Sequence, residues 1–230
     1  MSSPSRRPSG WAGCKHVAKA LAFCTAALVV LGGDHVFPQR AAWTFDDMAP
    51  GRPPAGFVFS DAATAWQVAR DGSNAVLAHT AQGGAAAHLA IVESTSIGSV
   101  SLSARLRFPE GPGAAGIAWR YRDAANYYAV ALDLRAQNVR IYRVVAGNRT
   151  RLEDEDDFEL DAASWHSVKV EDDGLRVQVW IDGVPVAGAR DRARPEPGAI
   201  GVWTAGDAGV WFDDLRAEPR SDAPRSNRRD

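Results

Sequence analysis

The sequence predicts an all-β domain behind a short N-terminal leader, and three observations carry that prediction. Stretches of two-residue alternation recur from Trp43 onward, clusters of Gly, Pro and Asp separate them, and no segment past the leader sustains a helical period. Regularly spaced strands divided by turn signals make a sandwich or a barrel. With 230 residues, 46% hydrophobic and 23% charged, the chain can bury one sizeable core and is not wholly disordered.

The leader occupies residues 1–40. Arg6, Arg7, Lys15 and Lys19 precede the apolar run Ala20–Leu31, which closes at Gly32-Gly33. A basic region followed by a short apolar one reads as a secretory signal peptide, too short for a comfortable membrane span. Ser5-Arg6-Arg7 hints at a twin-arginine signal, and Leu21-Ala-Phe-Cys24 has the outline of a lipoprotein box. No A-x-A site follows, so an uncleaved membrane anchor is the alternative. The expectation is an exported protein, periplasmic or extracellular, that meets a membrane only through this leader.

Next come the strands, expected within a domain spanning residues 41–217. Val100, Leu102, Ala104, Leu106 and Phe108 alternate with Ser101, Ser103, Arg105 and Arg107, which gives one buried and one wet face. Leu175–Ile181 repeats the pattern and ends at Asp182-Gly183, a hairpin-type turn. Further strands are expected near 43–47, 65–70, 75–80, 86–93, 114–121, 126–135, 138–145, 165–171, 198–204 and 209–217. Residues 218–230, rich in Arg, Ser, Pro and Asp, read as a disordered tail.

Both cysteines, Cys14 and Cys24, lie in the leader, so the domain has no disulfide, thiolate zinc site or cysteine nucleophile. Residues 1–40 hold five of the 26 Lys and Arg and one of the 28 acids, which leaves 21 basic and 27 acidic residues and a net charge of −6. An acidic domain argues against a nucleic-acid partner. No P-loop, Gly-x-Ser-x-Gly elbow or dinucleotide fingerprint is present. His79, His88 and His166 lack metal-ligand spacing. No cofactor is expected, with one structural exception: Asp46, Asp47, Asp213 and Asp214, on the first and last strands, are candidate ligands for calcium.

An ordered set of short motifs resembles the concanavalin A-like lectin/glucanase superfamily. The set runs Trp43-Thr-Phe-Asp-Asp47, Trp66-Gln-Val68, Ala115–Arg120, Asn126-Tyr-Tyr128, Trp165-His-Ser-Val168, Ile181-Asp-Gly183, Gly198–Trp203 and Val210–Leu215. The resemblance implies a two-sheet antiparallel β-sandwich, a jelly roll of the laminin-G-like kind found in bacterial exported proteins. Within it, the domains most similar are 3-keto-disaccharide hydrolase-like. That branch carries a glutamate after the tyrosine of its Gly-Tyr-Glu strand, where this chain has Tyr128, and the departure counts against hydrolysis. Glucanases of the superfamily use Glu-x-Asp-x-Glu on one strand. Glu155-Asp-Asp-Phe-Glu159 matches formally but sits in the acidic run Arg151–Leu160, which reads as a charged loop. No catalytic residue is assigned.

A meander of the strands near 114–121, 126–135 and 138–145 supplies the candidate ligand face. Hairpin turns at Arg122–Ala125 and Arg135–Asn138 would set Arg120 opposite Tyr127, Ala118 opposite Ala129, Ala131 opposite Tyr142 and Asp133 opposite Arg140. The other face, with Ile117, Trp119, Tyr128, Val130, Leu132, Leu134, Val139 and Ile141, is core. A floor of three alanines ringed by Arg120, Tyr127, Asp133, Arg140 and Tyr142, joined by Trp180, suits a sugar, because phenol rings stack on C–H faces while Arg and Asp bind hydroxyls. Trp43, Trp66, Trp119, Trp165, Trp211 and Trp203 are expected in the core, Trp203 at a strand end where it could rim a site. The sequence therefore points to a non-catalytic, lectin-like glycan-binding module of the cell envelope. A 3-keto-glycoside hydrolase and an envelope structural or protein-interaction domain are the alternatives.

Overall fold

The structure is a computed structural model that describes residues 40–60, 65–80, 87–156, 158–193, 196–206 and 209–220. The leader's signal motifs and the tail from residue 221 lie outside the described residues. Fifteen strands follow in chain order: β1 (Ala41–Trp43), β2 (Phe57–Phe59), β3 (Trp66–Asp71), β4 (Asn74–His79), β5 (Ala87–Val92), β6 (Val100–Arg107), β7 (Ala114–Asp123) and β8 (Asn126–Asp133). The remainder are β9 (Asn138–Val145), β10 (Asn148–Glu155), β11 (His166–Asp172), β12 (Arg176–Ile181), β13 (Val184–Arg190), β14 (Ala199–Ala205) and β15 (Val210–Pro219). Among the described residues there is no α-helix.

The strands form two antiparallel sheets. One has eight strands in the order β13-β12-β11-β6-β15-β4-β3, with β1 also paired to β15; the other runs β10-β9-β8-β7-β14-β5-β2. Their facing sides share one core in which Trp66, Trp119, Phe108 and Phe212 are completely enclosed. β6 shows why: its buried residues alternate strictly with half-exposed Ser101, Ser103, Arg105 and Arg107. This is the two-sheet jelly-roll sandwich that the sequence predicts.

Several local expectations need correction. The first strand is Ala41–Trp43 rather than 43–47, and the last continues to Pro219. β2, β10 and β13 are additional. β10 takes up part of the acidic run read as a loop, because an edge strand bonded only to β9 can turn charged side chains to water. Glu155 ends β10 and Glu159 lies beyond it with its Oε1 accepting from Gln137, so the two acids do not share a strand. Trp66 and Trp119 are core as expected, and half-buried Trp43 packs against it. Trp165 and Trp211 instead lie half-buried under Arg105 and Arg107, whose guanidinium carbons stand 4.9 and 5.4 Å from the ring centres.

Candidate functional site

The two sheets differ on their outer sides, and that difference locates the site. In β6, β11 and β12 the outward residues are half-exposed or exposed, whereas β5, β7, β8 and β14 are buried on both faces over most of their length. A second apolar cluster covers the outside of the seven-stranded sheet, built from Leu89, Ile91, Ala118, Tyr127, Ala129, Ala131, Val144 and Trp203. Trp203 is its centrepiece. It lies opposite Gly116, and its indole Nε1–H donates to the Val130 carbonyl at 2.8 Å. A Cβ at Gly116 would collide with that same carbonyl oxygen, so glycine is what lets the ring rest on the sheet.

The predicted alanine floor is present on this face, but it is not open. Ala118, Ala129 and Ala131 are buried beneath a cluster that includes the Trp203 and Tyr127 rings. Tyr127, Arg140 and Tyr142 do share the outer side, although the register differs from the expected one. Asp133 pairs with Asn138, Ala131 with Arg140 and Ala129 with Tyr142. This is a slip of two residues, which preserves the faces. The slip arises because Asp133 Oδ1 accepts the N–H groups of Arg135 and Ala136 and closes the turn early. Arg140 consequently binds Asp154 at 2.9 Å instead of Asp133. The Arg149 guanidinium lies 4.9 Å above the Tyr142 ring.

Arg120 is the largest departure. The β7–β8 register shifts between Trp119 and Asp123, the β7–β14 register shifts alongside, and Arg120 has φ 49°. This bulge turns Arg120 inward and puts Tyr121 on the outer face in its place, 6.3 Å from the Tyr127 ring. Gly198 makes room, since a Cβ there would collide with the Arg120 backbone. Inside, Arg120 Nε donates to Asp172 Oδ2 at 2.6 Å, and Trp119 Nε1 donates to the same oxygen at 2.9 Å. Trp180 is also elsewhere: it lies on β12 in the other sheet, with Lys169 Nζ 4.9 Å from its ring centre.

A second buried group sits close by. The Tyr128 hydroxyl donates to Asp191 Oδ2 at 2.7 Å, and Arg143 Nη1 reaches both Asp191 oxygens at 2.8 Å. Burial alone would raise the Asp191 pKa, but the bonds from Tyr128 and the Ala193 N–H, with the Arg143 charge, hold it below the ordinary carboxylate range. Burial, reinforced by the Asp191 bond, pushes the Tyr128 phenol far upward, so it stays a donor. Tyr128 thus anchors a polar knot with Asp191 and Arg143.

Beside that knot the sheet ends in a pocket of about 320 Å³. Its walls include Arg122, Asn126, Tyr127, Arg143, Val144 and Glu196. Asn126 is committed to its own turn, bonding Asp123 and the Ala146 N–H. Arg122 and Glu196 are exposed. A shallow crease lined by Tyr127, Tyr142, Arg149 and Trp203 lies along the outer face, and Tyr127 borders both spaces. Sequence reasoning found Arg120 and Tyr127 at the pocket and Tyr142 at the crease but missed Arg122 and Glu196, because no alternation pattern announces a bulge or a loop residue.

The four aspartates considered for calcium come partly together. Asp46 Oδ1 accepts the Ala75 N–H and Asp213 Oδ2 accepts the Asn74 side chain, which brings both to the β3–β4 hairpin. Asp214 faces Arg216 and Arg105. Among the described residues no three His, Cys, Asp or Glu side chains gather as a metal set.

Known structures share the architecture. The carbohydrate-binding module CBM66 from Bacillus subtilis is 19% identical, with 71% of this chain and 95% of that one covered and a TM-score of 0.61. A Bacillus subtilis protein of unknown function with a galectin-like fold is 12% identical over 73% and 90% of the two chains, TM-score 0.56. Domain 4 of AbnA, an extracellular arabinanase from Geobacillus stearothermophilus solved with arabinotriose, is 13% identical over 80% and 93%, TM-score 0.53. No curated protein matches the sequence. The family model described as a 3-keto-alpha-glucoside-1,2-lyase-like domain matches residues 44–218, nearly the whole sandwich, and the chain belongs to that family.

Proposed function

We propose that this domain is an exported, non-catalytic glycan-binding module that holds a sugar at the rim pocket. The observation that carries the reading is the apolar outer face of one sheet, ending where a guanidinium, a carboxylate and a phenol ring meet. Sugars present C–H faces to aromatic rings and hydroxyls that both donate and accept; Tyr127, Arg122 and Glu196 supply those three complements. The volume falls at the lower end of the range of roughly 300–1,000 Å³ typical of ligand pockets. The folds of a carbohydrate-binding module and of a domain crystallised with arabinotriose support the same reading.

The test is a glycan array followed by calorimetry on the full chain. A hit should bind with Kd on the order of 10⁻⁴ M, about −5.5 kcal/mol. Arg122→Ala, at an exposed position, should abolish detectable binding without changing the melting temperature. Silence on the array, or unchanged affinity in the variant, overturns the proposal.

Family membership favours one second reading, cleavage of a 3-keto-glucoside. A ketone at C3 acidifies the C2 proton, and its removal with departure of the C1 oxygen is an elimination that needs a base. Among the described residues Glu196 is the carboxylate lining the rim pocket. Release of aglycone from 3-keto-glycosides, lost in Glu196→Gln, would establish this reading in place of the first.

A further inference from the structure

The eight-stranded sheet carries a pocket of about 400 Å³ on its outer side, and no residue of the glycan proposal takes part in it. Its floor is Gly188 with Gln178 laid across it, and its walls are Arg176, Arg190, Arg220, Glu171 and Asp173. A Cβ at Gly188 would meet Gln178 Oε1 at 2.9 Å, while Gln178 Nε2 donates to the Ala187 carbonyl at 2.8 Å, so the amide lies along β13 and leaves the space above open.

The charges around this space are unbalanced. Arg176 pairs directly with Arg190 across β12 and β13, and like charges facing one another weaken an antiparallel pair. Both are exposed, and among the described residues neither guanidinium joins a hydrogen bond or ion pair. Nor are the neighbouring acids available. Glu171 is held by Lys169 at 2.7 Å and by Arg220 at 2.8 Å. Asp173 Oδ1 accepts the N–H groups of Leu175 at 3.0 Å and Arg176 at 2.7 Å. Three cations and two committed anions thus line the pocket, in a chain whose formal net charge is −2.

We propose that Arg176 and Arg190 form a clamp for an oxyanion, a carboxylate, sulfate or phosphate group, seated over Gly188. Two planar forks converging on one group recognise such an anion through charge-assisted bonds, and its charge removes the repulsion between them. A free anion in solution and an acidic sugar both present this group, and the recognition chemistry is the same.

The full chain should be melted at constant ionic strength with chloride replaced by sulfate or by phosphate, and titrated calorimetrically with digalacturonate. The melting temperature should rise with at least one inorganic anion, or digalacturonate should bind. Inorganic anions acting alone identify a free ligand, and digalacturonate acting alone identifies a uronate-bearing glycan. In Arg176→Gln and Arg190→Gln the affinity should fall at least roughly tenfold, or about 1.4 kcal/mol. Without anion, both variants should be as stable as the parent or more so. No response in the parent protein, or an equal response in the variants, overturns the proposal. Arg122→Ala reads the other pocket, so either proposal can fail alone.

Discussion

Arg120 lies between the sheets with its side chain 4% exposed and its charge opposite Asp172, 5% exposed. A buried pair of this kind is costly to break from one side, since the survivor keeps an uncompensated charge. Arg120→Ala should therefore lower the unfolding free energy by about 3 to 5 kcal/mol, read by urea titration. Replacing Arg120 and Asp172 together by Met and Leu should recover much of that loss. The companion position is Gly198, where alanine would push on the bulged backbone that turns Arg120 inward. Gly198→Ala should destabilise as well, and by displacing Arg120 at the rim pocket it should weaken glycan binding in the calorimetric assay.

Among the strands, those with simple alternation were legible from residue order alone. β6 and β12 fall where Val100–Arg107 and Leu175–Ile181 put them, and Asp182-Gly183 turns with φ of 50° and 81°, the double positive of a two-residue hairpin. Gly183→Val should cost about 1 to 3 kcal/mol through that turn, seen as a lower urea midpoint with an unchanged slope. Other elements were hidden for physical reasons. β10 is charged because it is an edge, and so resembles a loop. The β8–β9 register depends on which N–H groups the Asp133 carboxylate captures, a choice that alternation does not encode. The β7 bulge inserts a residue between two well-patterned halves, which turned Arg120 inward, where it still lines the rim pocket, and put Tyr121 on the outer face. Tyr127 and Tyr142 survived because a slip of two leaves the pleat unchanged.

Across the whole sandwich, two buried acids tie the sheets through unlike neighbours. Asp172 of the eight-stranded sheet meets Arg120 and Trp119 of the other, while Asp191 meets Tyr128 and Arg143. The folded Asp191 pKa lies below its unfolded value of about 3.9. Its contribution is therefore complete above pH 4 or so and lost as acid protonates the folded carboxylate. Asp191→Asn should be less stable than the parent at pH 7, and the gap should close as urea titrations descend from about pH 4. Asp213 runs the opposite way, its pKa raised by burial, so it weighs against folding at neutral pH and ceases to do so in acid. The placement of Trp203 carries an optical consequence. Its indole packs beside Tyr127, which walls the rim pocket, while hydrogen-bonded to the Val130 carbonyl, so a sugar pressing on Tyr127 would alter the surroundings of that chromophore. The emission spectrum becomes a dye-free gauge of occupancy, and Trp203→Phe tells which of the eight indoles is speaking.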